Sequence, residues 1–119
     1  MRFGLSLAAL FLLFPLSGIA HDELPQTSFL DPGRPNPARY DSLIHYELAT
    51  NERDFSLEVV DVTGRHVATL EVYDLRDAGE YDYLWDLRSD RGVRVPSGLY
   101  IIQLRTNTLM LVQRLVVAR

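Results

Sequence analysis

From Ser42 to the C-terminus, apolar side chains recur at every second position in one short run after another. Ser42–Ala49 carries Ile44, Tyr46 and Leu48 on one face, and Asp54–Asp61 sets Phe55, Leu57 and Val59 against Ser56, Glu58 and Val60. Arg65–Tyr73 offers Val67 and Leu70, while Glu80–Leu87 opposes Tyr81, Tyr83 and Trp85 to Asp82, Leu84 and Asp86. Gly98–Thr106 alternates Tyr100, Ile102 and Leu104 with Ile101, Gln103 and Arg105, and Leu109–Ala118 closes the chain. A strand projects successive side chains to opposite faces, so this period buries one set and leaves the other to water. Turn signals fall between the runs at Val62-Thr63-Gly64, Ala78-Gly79 and Thr106-Asn107-Thr108. Gly64 is free to take the positive φ of a tight hairpin. The pattern predicts an all-β fold, an antiparallel β-sandwich of about seven strands occupying residues 40–119.

Two segments precede that domain. Met1-Arg2 carries one positive charge, and an uncharged apolar run follows to Ala20. Small residues at Gly18 and Ala20 before His21-Asp22-Glu23 fit a signal peptide over residues 1–20, cleaved after Ala20. A retained anchor is the rival reading, opposed by Pro15 and by the single basic flank. Residues 21–39 hold four prolines and no apolar period, and read as a linker with a short extended piece around Thr27–Leu30. The prolines on both sides of Asn36 set an extended, turn-prone approach to the domain.

Composition removes several functions. The sequence has no cysteine, which excludes thiol catalysis, cysteine-based zinc sites and a lipoprotein anchor. A net charge of −4 without a basic cluster gives nucleic acid nothing to bind. The stretch WDLRSDRGVRVPSGLY, Trp85–Tyr100, offers Asp86 and Asp90 as oxygen ligands, but Arg88 and Arg91 in the same loop oppose a cation. Trp85 in the core, a solvated loop and a Pro96-Ser97-Gly98 turn make that stretch a joint between strands. His21, His45 and His66 match no metal-ligand spacing. Ser97 has no histidine near it in sequence, and Glu47, Glu58 and Asp82 fall on outward positions where carboxylates are solvated. No metal, cofactor or catalytic residue is expected, and the chain reads as a non-enzyme.

Six pieces in order carry a resemblance: PNP (Pro35–Pro37), YEL (Tyr46–Leu48), LEVVDVTGRHVATL (Leu57–Leu70), AGEYDYLWD (Ala78–Asp86), RGVRVPSGLYIIQL (Arg91–Leu104) and RLVVAR (Arg114–Arg119). Together they resemble the FlgD-type Ig-like domain, in particular the C-terminal sorting domain (type A) of the type IX secretion system. The resemblance implies an Ig-like, fibronectin-III-like sandwich. It implies export by the signal peptide to the periplasm, cell surface or exterior, and recognition by outer-membrane secretion machinery as the protein partner. The recognised strand would be Arg114, Leu115, Val116, Val117, Ala118 and Arg119. Pro35, Asn36, Pro37, Gly64, Gly92, Ser97, Gly98 and Tyr100 would be its turn and motif support.

Val60, Leu84, Leu99 and Ile101 interrupt the polar faces, and Leu109-Met110-Leu111-Val112 is nearly continuous. Contiguous exposed apolar surface marks a docking site, and a terminal strand can pair edge to edge with another chain, including a second copy. Two further readings follow. The chain is a structural or assembly subunit of the periplasm or surface, as in hook-cap relatives, or it is the tail of a longer secreted protein whose cargo has been split off. None of these readings places a membrane span in the chain once the signal is removed.

Overall fold

The alternating runs pair into two antiparallel sheets in the computed structural model, which describes residues 24–119. The expected signal segment lies outside the described residues. In chain order the strands are Phe29–Leu30 (β1), Ser42–Leu48 (β2), Glu52–Asp61 (β3), His66–Arg76 (β4), Gly79–Trp85 (β5), Gly98–Arg105 (β6) and Met110–Val117 (β7). One sheet runs β1-β2-β5 and the other β4-β3-β6-β7. Ile44, Tyr46 and Leu48 of β2 face Phe55, Leu57 and Val59 of β3 across the interior, joined by Trp85, Ile102, Leu104, Leu115 and Val117. The expected all-β sandwich is the observed fold, and its faces divide as the alternation predicts.

The alternation fails at β4. Register shifts between Leu57 and Glu58, and between Val59 and Val60, put bulges into the β3–β4 ladder. A bulge adds a residue to one strand and resets which face follows. Val59 and its neighbour Val60 are consequently both buried, and on β4 it is Ala68 that enters the core while Val67 and Leu70 are partly covered.

Part of the segment read as a linker belongs to the sandwich. β1 pairs with Tyr46 and Glu47 of β2, and Leu30, Gly33 and Ala38 are buried. A Cβ on Gly33 would stand 2.4 Å from Ser42 Oγ, so only glycine allows the chain to pass this close to β2. Ser42 Oγ donates to the Pro35 carbonyl at 3.1 Å, and Arg34 and Leu43 exchange backbone hydrogen bonds at 2.9 and 2.6 Å.

One polar cluster ties the two sheets together. Tyr46, fully buried on β2, donates its hydroxyl to Glu71 Oε1 of β4 at 2.6 Å and accepts from Arg76 Nε at 3.2 Å. The Arg76 guanidinium lies 3.6 Å from the centroid of the Tyr81 ring and 4.2 Å from that of Tyr73, and it pairs with Glu71. Each polar group therefore has a partner, which is the condition for burying it without a large penalty. Burial, with Glu71 beside it, pushes the Tyr46 phenol well above the usual tyrosine range.

Glu52, the first residue of β3, is buried and accepts from the hydroxyls of Thr50, Thr106 and Thr108, each at 2.7 Å. Burial pushes its carboxyl upward, but the three donors outweigh that and hold it below the usual glutamate value. A depressed native pKa contributes stability above the unfolded value of about 4.3, which is lost as pH falls through the native one. Melting temperature should therefore drop steeply below about pH 4. Glu52→Gln should melt lower at neutral pH and show a flatter acid limb in a pH series of thermal melts. An unchanged acid limb would show that Glu52 does not contribute to it.

Candidate recognition surface

β7 is divided lengthwise. It pairs along its whole length with β6, from Gly98↔Val117 to Arg105↔Met110. Leu115 and Val117 point inward and are 0% and 1% exposed. Met110, Val112, Arg114 and Val116 point outward, and the three apolar ones are 50%, 53% and 39% exposed. The register sets Val116 beside Leu99, Arg114 beside Ile101 and Val112 beside Gln103, all on the outer face. The result is an apolar strip over β6 and β7, with Arg105 and Arg114 set among its residues.

The outer edge of β7 is closed over its second half. Asn36 donates Nδ2 to the Arg114 carbonyl at 3.4 Å, and its Oδ1 accepts the Val116 N–H at 3.0 Å. Ala38 then gives its N–H to the Val116 carbonyl at 2.7 Å and accepts from Ala118 at 2.8 Å. Asn36 thus presents an amide side chain as a strand presents its backbone, and Ala38 continues with a parallel bridge to Val117. The bonds before Pro35 and before Pro37 are both cis. Over Arg114–Ala118 the outer edge of β7 is thus taken up within the molecule, while the edge at Met110–Gln113 and the edge strand β4 beyond Thr69 carry no such cover among the described residues.

The C-terminal residue is docked as well. The Arg119 N–H donates to Ser97 Oγ at 3.2 Å, and its guanidinium donates to the Val95 carbonyl. Ser97 thus anchors the chain end in addition to sitting in the turn. Tyr100 donates its hydroxyl to the Pro96 carbonyl at 2.7 Å, four residues upstream, in the manner of the tyrosine corner of Ig sandwiches. Gly98 opens β6 opposite Val117. Gly64, at φ 89°, closes the β3–β4 turn with its N–H on the Asp61 carbonyl at 2.9 Å.

The Trp85–Tyr100 stretch is folded on itself. Trp85 Nε1 donates to the Arg88 carbonyl at 3.0 Å, Val95 N to Leu87 O at 2.9 Å, and Gly92 N to Ser89 O at 2.8 Å. Arg88 reaches the Gly92 carbonyl at 2.8 Å. Asp90 leaves the loop to cap β4: its N–H donates to Val67 O at 3.1 Å, and its carboxylate accepts the Thr69 N–H and pairs with His66 Nε2, both at 2.8 Å. These contacts, the Thr69 amide first, hold the Asp90 carboxyl below the usual aspartate value. A groove of about 520 Å³ lies between this loop and the β3–β4 turn, and its polar groups His66, Asp90 and Asp61 are engaged in holding those two loops.

Of the three carboxylates read as outward and solvated, Asp82 is 59% exposed, and two of the three also meet a histidine at hydrogen-bond distance. His45 Nε2 lies 2.8 Å from Glu47 Oε2, and Nδ1 lies 2.8 Å from Asp82 Oδ1. Glu58 lies 3.8 Å from His66. Sequence spacing missed the His45 group because the β2–β5 register, not proximity along the chain, assembles it.

Asn36→Ala removes both side-chain bonds to β7 while leaving Ala38 in place. It should cost about 1 kcal/mol in urea unfolding and raise self-association at micromolar concentration, read by light scattering. A variant as monomeric and as stable as the parent would contradict the capping role.

No protein-family model and no curated protein matches the sequence. Solved structures share its fold. The chain is similar to part of the crystal structure of dimeric latent PorU from Porphyromonas gingivalis, with a TM-score of 0.55 and 21% identity. That alignment covers 77% of this chain and 9% of the PorU chain. It also aligns with PorZ, described as an essential bacterial surface component of the type IX secretion system of the same organism, at TM-score 0.48 and 22% identity. There 79% of this chain and 12% of PorZ are covered. The chain thus spans a small fraction of either protein, and the likeness to the PorU region is one of fold.

Proposed function

We propose that the chain is an exported, non-enzymatic recognition module, read by a type IX secretion or cell-surface sorting apparatus through the outer face of its last strand. The observation that carries this reading is the division of β7, whose inner residues belong to the core while Met110, Val112, Arg114 and Val116 stand free. An apolar strip edged by arginines suits a protein partner. Over Arg114–Ala118 the edge of the same strand is occupied by Asn36 and Ala38, so recognition of that half would use a face and not strand addition. The ordered motifs shared with sorting domains, and the fold shared with a region of PorU, support the same reading.

The geometry changes how the reading is tested. Deleting Arg114–Arg119 would remove Leu115 and Val117 from the core and would report folding as much as recognition. The discriminating pair is Val112→Glu with Val116→Glu on the outer face, against Leu115→Ala in the core. Fused behind a periplasmic reporter in a bacterium with a working type IX system, the face variant should melt within a few degrees of the parent and lose protease accessibility on intact cells. Leu115→Ala should lose about 2–5 kcal/mol of stability. Surface display undiminished in the face variant would overturn the proposal.

A second reading, an assembly subunit, rests on β4, an edge strand with Val72 64% and Leu75 45% exposed. A parent protein that is dimeric at micromolar concentration, and monomeric as Val72→Lys, would favour it.

A further inference from the structure

We infer that the outer face of the β1–β2–β5 sheet holds a divalent transition-metal site of the zinc class, with His45 Nε2, Glu47 and Glu80 as ligands and Asp82 orienting the imidazole. The site is built by register. His45 stands directly opposite Asp82 across the β2–β5 ladder, and Glu47 directly opposite Glu80. Ligand atoms of His45, Glu47 and Glu80 all lie within 4.8 Å of one another. Two donors on one tetrahedral zinc, each at about 2.0–2.2 Å from the metal, stand about 3.4 Å apart. Glu47 Oε2 lies 2.8 Å from His45 Nε2, and zinc would take the place of the proton between them, small rotamer changes of Glu47 and Glu80 closing the coordination.

Three independent features point to a cation. Like charges directly opposite in a ladder are destabilising, yet Glu47 and Glu80 are so placed. Neither is paired with an arginine among the described residues, and Glu80 has no hydrogen-bond or ion-pair partner there. Glu47, Glu80 and Asp82 thus bring three carboxylates to one sheet face, and none of them is paired with an arginine among the described residues. Finally, Asp82 Oδ1 sits 2.8 Å from His45 Nδ1. A ligating histidine nearly always donates its other N–H to a carboxylate or carbonyl, which fixes the tautomer and turns Nε2 towards the metal.

The donor set selects the metal. Calcium and magnesium take oxygen ligands, whereas an imidazole nitrogen with carboxylates suits zinc and its neighbours. The His45 and Glu47 side chains are 19% and 18% exposed, and the Phe29 ring, 6.2 Å from that of His45, walls one side. Three ligands leave the fourth position to water or to a donor from another molecule.

Isothermal titration of the purified protein with zinc chloride tests the site. One equivalent should bind, raise the melting temperature, and resist competition by millimolar magnesium. Glu80→Gln, at an exposed side chain without a partner among the described residues, should weaken zinc binding at least tenfold while the metal-free protein melts no lower than the parent. Asp82→Asn should weaken it about tenfold, whereas Asp74→Asn, which removes the same charge from β4, should leave it unchanged. No saturable zinc binding, or binding unaffected by Glu80→Gln but lost in His66→Gln, would overturn the assignment.

Discussion

An edge strand carries a row of backbone donors and acceptors that must find water or a partner, and the last strand of this sandwich meets that demand inside the molecule over its second half. β7 is bonded on one side to β6 along its whole length, and on the other to Asn36 and Ala38 over Arg114–Ala118. Its inner face supplies Leu115 and Val117 to the core. What remains is the outer face. The proline-flanked Asn36 therefore does two things at once: it bonds the outer edge of β7 at Arg114 and Val116, and it leaves a face as the surface β7 offers over that span. The opposite end of the same sheet repeats the device, with Asp90 bonded to Val67 and Thr69 along β4.

With no disulfide available, the two layers depend on packing and on polar ties, among them the bond from Gln113 of β7 to the Leu30 carbonyl of β1 at 2.9 Å and a buried cluster. Tyr46, Glu71 and Arg76 bond one another across the layers, and Tyr81 and Tyr73 flank the guanidinium. Such a cluster stabilises only when every member is satisfied, because an orphaned buried charge costs more than the contacts return. The Trp85–Tyr100 loop serves the same end: its own hydrogen bonds seat Trp85, Leu87 and Val95 in the core and bring Asp90 to β4. Its charged residues are structural punctuation around a joint, and the chain end closes over it through Arg119 and Ser97.

Strands with clean alternation were legible from the sequence. Ile44, Tyr46 and Leu48, and Phe55, Leu57 and Val59, form the centre of the core as their period requires. β4 was less legible because its bulges break the period, so Ala68 enters the core where Val67 and Leu70 were the visible candidates. β1 is two residues long and carries no periodic signal. The roles of Asn36 and Arg119 were hidden for a different reason. Asn36 acts on Arg114 and Val116, 78 and 80 positions away, and Arg119 acts on Val95 and Ser97 across a turn. The grouping of His45 with Glu47, Glu80 and Asp82 depends on a strand register that hydrophobic patterning leaves open to slips of two.

The proposed recognition requires that a partner read the outer face of β7. Because the chain has no cysteine, a thiol placed at Val112 is the only one in the molecule and can carry a benzophenone cross-linker. In cells with a working type IX system, irradiation should join residue 112 to an outer-membrane component of that system, while the same probe at Val72, on the far edge strand of the same sheet, should not. Equal adducts from both positions, or adducts from residue 72 alone, would contradict it.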